Sequence, residues 1–131
     1  MLIIGKIDID KYQPITSAKI ITDQVILTNN QKDHIIQRRG KEFYDEYSPL
    51  FADIIVDPDY IFKDKNPNTA LVSKTVSYNG TAVNIVLRIT VEGEDPSYKN
   101  SIITAVKESQ KRFAQRLRNN KPIYRKLDKS E

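Results

Sequence analysis

A chain of 131 residues with a formal net charge of +4, 39% hydrophobic and 29% charged residues, is long enough for one apolar core and too short for two comfortable domains. It has no cysteine and a single histidine, which excludes disulfides, thiol catalysis and any clustered thiolate or imidazole metal site, a zinc centre included. The N-terminal apolar run is too short for a signal peptide and nothing later approaches membrane-spanning length, so the expectation is one soluble, cytoplasmic domain over 1–131, without membrane partners or cofactors.

LIIGKIDI and KIITDQVIL, rich in Ile and Val and broken by turn residues, read as short edge or N-terminal strands. Thr28 followed by Gln31 fits a capping box, in which hydroxyl and amide satisfy backbone donors at a helix start. The expected helix runs from about Asn29 to Arg39, and Gly40 ends it by tolerating the left-handed conformation common past a helix. KEFYDEY is compatible with more helix. The next helix takes Ser48 as its cap and Pro49 as its first residue, passes Phe51, Ile54 and Ile55, and stops at Asp57 before Pro58. Asp57 and Asp59 in VDPDY read as turn residues rather than as paired catalytic carboxylates.

LVSKTVSYNGTAVNIVLRITVEG is a hairpin, with Asn79-Gly80 at the centre of a two-residue turn. That register puts Val72, Lys74 and Val76 on one face with Val83, Ile85 and Leu87, and Ser73, Thr75, Asn84 and Arg88 on the other. Lys74 then lies on an apolar face, either with its stem packed and its ammonium at the sheet edge or as a ligand contact. EGEDPSYKN is a loop, NSIITAV a strand, and KESQKRFAQRLRNN a helix with Phe113 and Leu117 as its apolar stripe. KPIYRK adds a last strand before a frayed tail at 127–131. The class is α+β: N-terminal helices packed on a four- to five-stranded antiparallel sheet, with a basic C-terminal helix.

Charge is concentrated at the C-terminal end. From Lys107 to Glu131 stand nine of the 21 Lys and Arg against three of the 17 Asp and Glu. Such a cluster, with Lys111, Arg112, Arg116 and Arg118 outside the apolar stripe, suits a polyanion, because clustered cations release counterions from phosphates. A solvated helix face is the plainer reading. There is no glycine-rich phosphate loop and no Gly-x-Ser-x-Gly nucleophile elbow.

In QKDHIIQRR, helical spacing puts Gln31, His34, Arg38 and Lys41 on one stripe, away from Ile35 and Ile36. His34 is therefore off the core stripe, and an ordinary surface histidine is one reading of it. The other is a proton-transfer group, since a neighbouring cation disfavours the imidazolium and leaves a neutral base. Phosphodiester cleavage needs such a group and cations to stabilise charge on the non-bridging oxygens; His34, Arg38, Arg39, Lys74 and Arg88 supply these kinds.

The ordered set TDQVILTNNQKDHIIQRRG, FADIIVDPDYIFKDKNPNTALVSK, the hairpin, NSIITAVKESQKRF and KPIYRK resembles the phage-associated nuclease families grouped with barnase, EndoU, colicin and RelE, over about residues 22–126. The resemblance implies helices packed on an antiparallel sheet and metal-independent endoribonuclease activity through 2'-hydroxyl attack to a cyclic phosphate. It implies His34 as general acid or base, the following basic position at Arg38 or Arg39, and Thr104, in SIITA, as a third catalytic residue. Without it Thr104 is a strand residue of good β-propensity. These families often have Arg-His where this chain has Arg38-Arg39, which leaves the general acid unassigned. Arg39, Lys74, Arg88, Lys111, Arg112 and Tyr124 complete the expected phosphate and RNA contacts. The implied partners are RNA, a cognate inhibitor or immunity protein, and a phage particle or larger polypeptide that carries the domain. A non-catalytic nucleic-acid-binding or phage structural module using the basic helix is the alternative.

Overall fold

The computed structural model describes residues 1–126; the expected tail at 127–131 lies outside them. Seven strands form one sheet: β1 (Leu2–Lys6), β2 (Gln24–Leu27), β3 (Tyr60–Lys63), β4 (Thr69–Thr75), β5 (Ala82–Arg88), β6 (Asn100–Glu108) and β7 (Tyr124–Arg125), in spatial order β1-β2-β6-β5-β4-β3-β7. The helices are α1 (Ile9–Tyr12), α2 (Asn29–Arg39), α3 (Lys41–Tyr47), α4 (Phe51–Val56) and α5 (Gln110–Asn119). The class is α+β, but the expected four- to five-stranded antiparallel sheet is corrected to seven strands and mixed pairing. β2 runs parallel to β6, with Val25 opposite Asn100 and Ile26 opposite Ser101. The other strand pairs are antiparallel. Local pattern cannot announce a partner so far along the chain, and β3 hides behind the Asp57-Pro58-Asp59 turn. The basic helix is present as α5, and β7 follows it.

Alternation along the central strands makes two unlike faces. Ala70 and Val72 of β4, Val83, Ile85 and Leu87 of β5, Ile102 and Ala105 of β6, and Val25 and Leu27 of β2 point into the main core. There they meet Tyr12, Ile35, Tyr47, Phe51, Ile54 and Ile55 from the helices. Each large side chain so buried contributes about 1.5–3 kcal/mol relative to exposure. Tyr12 also needs a polar partner, and its hydroxyl donates to the Ile55 carbonyl at 2.6 Å. The other face is covered only in part, by α5, where Phe113 packs with Phe62 and Ala82, and Leu117, Leu71 and Tyr60 flank them.

Capping follows the sequence at α2 but not at Ser48, which makes no capping hydrogen bond. Thr28 is the N-cap of α2, its hydroxyl accepting from the Gln31 amide at 3.2 Å. Gly40, at φ 96° and ψ 152°, ends α2 in a region essentially reserved for glycine. The hairpin turn is longer than expected: Val76 N donates to Thr81 O, Gly80 N to Val76 O, and Lys74 pairs with Val83. Four residues, 77–80, form the loop. Relative to a two-residue turn the register slips by an even number, so both side-chain faces come out as the alternation requires.

Candidate functional site

The expected site residues are distributed over several elements. His34 and Arg38 are exposed on α2, on the flank away from Lys32, whose ammonium lies 5.4 Å from the Tyr44 ring of α3. Ile35 points from the same helix into the core with Ile102 and Ala105. Arg39 Nε donates to the Ala105 carbonyl at 3.1 Å, satisfying a β6 backbone group past the short pairing with β2. Thr104 stands opposite Val86, where a bulge interrupts β6, and so on the face away from that core. No hydrogen bond among the described residues links His34 or Arg38 to Thr104 or Arg88.

Three of the expected phosphate contacts are engaged by protein partners in this structure. Lys74, on the helix-covered face, pairs with Asp53 at 2.9 Å and Asp57 at 3.2 Å. Lys126 approaches the same Asp57 oxygen at 2.8 Å. The Lys126 hydrogen bond outweighs partial burial and, with Lys74, holds the Asp57 carboxyl down to about 2. Arg88 is clasped by Glu94 at 2.5 Å and also donates to the Ile89 carbonyl. Tyr124 packs against the main core with Lys11 5.2 Å from its ring centre. Lys111 is exposed on α5.

Arg112 belongs to a different assembly. A groove of about 540 Å³ runs between the end of β6 and α5, lined by Thr81, Val106, Lys107, Glu108, Ser109, Arg112 and Arg116. Ser109 caps α5 by accepting from the Arg112 amide at 3.2 Å, so the helix starts just beside the strand end and its first two turns overhang the sheet. Glu108 Oε1 accepts from Arg116 Nε at 3.1 Å and Oε2 from Arg116 Nη2 at 2.9 Å. Asn84 Nδ2, from β5, donates to Glu108 Oε1 at 3.0 Å. Arg116 first, against the cost of burial, then Asn84 and the nearby charge of Arg112, keeps Glu108 below the usual carboxylate range. Three cations against one ionised carboxylate leave the groove net positive.

Beside this groove the sheet face buries polar residues next to its Phe62–Ala82–Phe113 apolar cluster. Ser73 and Asn84 pair across β4 and β5, Asn84 stands opposite Val106, and Thr104 lies two residues before it. Asn84 Oδ1 and Thr104 Oγ1 are buried without a hydrogen-bond partner. The contrast with Asn100 is instructive: equally buried, it accepts from Thr90 N and donates to Thr22 O, both at 2.8 Å, and is a finished structural contact. An unfinished buried polar group costs about 1–3 kcal/mol, and such groups call for a reason beyond packing.

Sequence reasoning placed Thr104 and Arg112 among the site residues but missed Asn84 and Glu108, and read Arg116 only as part of a basic surface. Asn84 was on the correct face of the hairpin. Glu108 falls inside the expected helix KESQKRFAQRLRNN, although Ser109, a favoured N-cap residue, marks it as the last residue of the strand.

No helix among the described residues is long and apolar enough to cross a membrane. No curated protein and no solved structure gives a match to this chain. The family described as phage-Barnase-EndoU-ColicinE5/D-RelE like nuclease2 matches residues 3–125. A sheet with most helices on one face and a second face only partly covered by α5 and bordered by cations is thus found in a chain that belongs to this phage-associated nuclease family.

Proposed function

We propose that the protein is an endoribonuclease whose backbone-binding site is the groove between β6 and α5. The observation that carries this reading is the cationic groove of Lys107, Arg112 and Arg116 on the sheet face that also carries the buried, unpaired Thr104 hydroxyl. Cations there offset the charge that builds on the non-bridging phosphate oxygens; the Thr104 hydroxyl is buried, and its proposed part in bonding or orienting the phosphate requires the side chains over it to move aside. Cleavage proceeds without a metal: a 2'-oxygen attacks the adjacent phosphorus as its proton leaves to a base, the 5'-oxygen departs with a proton from an acid, and a cyclic phosphate results. His34 is the proposed proton-transfer group. It stands on α2, which packs on the opposite face of the sheet from the groove, so it is to reach the phosphate around the edge of β6 beyond its short pairing with β2, where Arg39 holds the Ala105 carbonyl. Imidazole is the side chain whose charge ordinarily changes near neutrality, and this chain has one; Arg38 and Arg39 are the cations beside it. The protein acts in the cytoplasm or where a phage particle delivers it, and an inhibitor that occludes the groove is the expected immunity partner.

Incubating labelled mixed RNA with the purified protein in chelator tests the reading. Products ending in a cyclic phosphate, and their loss in Arg116→Ala and His34→Ala, support it. A divalent-ion requirement rejects the chemistry, and activity retained in either variant rejects that residue's role. Exposed Lys111, Arg112 and Arg118 on α5 favour one second reading, binding without cleavage, in which salt-sensitive complexes form and no product appears.

A further inference from the structure

Arg116 differs from the other groove cations in being held. Its Nε and Nη2 are both engaged by Glu108, whose side chain is 11% exposed against 32% for Arg116 itself. This side-on pairing uses one edge of the guanidinium and fixes its plane, while Nη1 makes no protein hydrogen bond among the described residues. Glu108 is in turn tied to β5 by Asn84 Nδ2, and Asn84 is fully buried. Arginine binds phosphate best with its planar fork already oriented, because less rotamer freedom is then lost per hydrogen bond formed.

We propose that Asn84 and Glu108 are positioning residues that hold Arg116 with its Nη1 edge toward the groove, so that it binds one backbone phosphate of a single-stranded nucleic acid. The proposal rests on the groove being the backbone-binding site, and it makes a prediction opposite in sign to simple electrostatics. Removing a carboxylate from an anion site raises its positive potential and on charge alone tightens binding. Removing a carboxylate that aims the one guanidinium of the groove held in place among the described residues weakens it. Asn84 explains its own half-finished hydrogen bonding in the same way: its amide is spent on Glu108, and Oδ1 is left over.

The test uses the full chain and a labelled 2'-O-methyl oligoribonucleotide of mixed sequence, which lacks the attacking hydroxyl and reports binding alone. Affinity is measured against salt for Arg116→Ala, Glu108→Ala, the near-isosteric Glu108→Gln, and the double variant, with thermal melts confirming folding. Arg116→Ala is expected to weaken binding roughly tenfold, as for one charge-assisted contact, and to lower the slope of log affinity against log salt by about 0.7, the value of one single-strand phosphate contact. Glu108→Ala is expected to do the same despite its added positive charge, Glu108→Gln to weaken binding by less, and the double variant to equal the single ones. Tighter or unchanged binding in both Glu108 variants, with Arg116→Ala impaired, overturns the positioning role and leaves the groove as the site. Unchanged binding in Arg116→Ala overturns both. Should Glu108→Ala fail to fold, Glu108→Gln alone decides, since tightening there refutes the proposal.

Discussion

Replacing Thr104 by valine keeps the shape of the side chain and removes the one atom that has no partner. Thr104 Oγ1 is buried and unpaired on the sheet face that carries the groove. Folding strips water from that hydroxyl and returns nothing, a cost of about 1–3 kcal/mol, so Thr104→Val should stabilise the fold by that amount. Unfolding entropy of about 2.1 cal/mol/K per residue makes 1 kcal/mol worth roughly 4 °C in Tm for a chain of 131 residues. The expected rise is therefore roughly 4–11 °C by calorimetry or circular dichroism. RNA cleavage should move the other way, falling roughly tenfold or more as a hydrogen bond to a charged phosphate is lost. A variant with unchanged or lower Tm refutes the reasoning, because the hydroxyl must then be satisfied in the folded protein. A variant that is more stable and fully active leaves the energetics standing and removes Thr104 from the site.

His34→Ala should leave Tm nearly unchanged, since the side chain is exposed, while abolishing cleavage in chelator; a gel assay beside a melting curve decides it. Asp57, held down to about 2 by Lys126 and Lys74, lies below its ordinary value of 3.8, so its contribution is present above that value and is lost as pH falls toward 2. Asp57→Asn should lower stability at neutral pH and flatten the acid limb of the Tm profile in that interval, whereas a parallel downward shift of the whole profile would contradict the assignment. Gly40→Ala meets no neighbour but must adopt φ 96° and ψ 152°, and should cost about 1–3 kcal/mol in chemical denaturation.

Local signals carried much of the fold. The Thr28 cap and the Gly40 stop are chemistry confined to a few neighbouring residues, and α2 begins and ends there. The expected Ser48 cap is corrected, because Ser48 continues the αR backbone of α3 into a 3-10 turn over Ser48–Leu50 without a side-chain cap, and α4 starts only at Phe51. The faces of the hairpin were legible even though its loop was not, because alternation survives an even slip of register. The parallel pairing of β2 with β6 was not legible, since Val25 and Ile26 carry no mark that distinguishes a neighbour 75 residues away from one in the next hairpin. The site divides in the same way. His34 and Arg38 could be assigned to an exposed flank by helical spacing, but what that flank faces depends on packing. The Asn84–Glu108–Arg116 chain joins a strand, a strand end and a helix, and only the folded sheet brings them together.

That parallel pairing also sets an order of events. β2 has only β1 and β6 as sheet neighbours, and a two-stranded ribbon by itself is marginal in water. During synthesis the first quarter of the chain must therefore wait, its edge unpaired, until residues 100–101 have emerged. The β3–β5 meander, made of near neighbours, can assemble meanwhile. Contacts that close long loops form late and slow the whole reaction, so docking of β1 and β2 is expected to be the last step of folding and the one at which an interrupted chain is most exposed to aggregation.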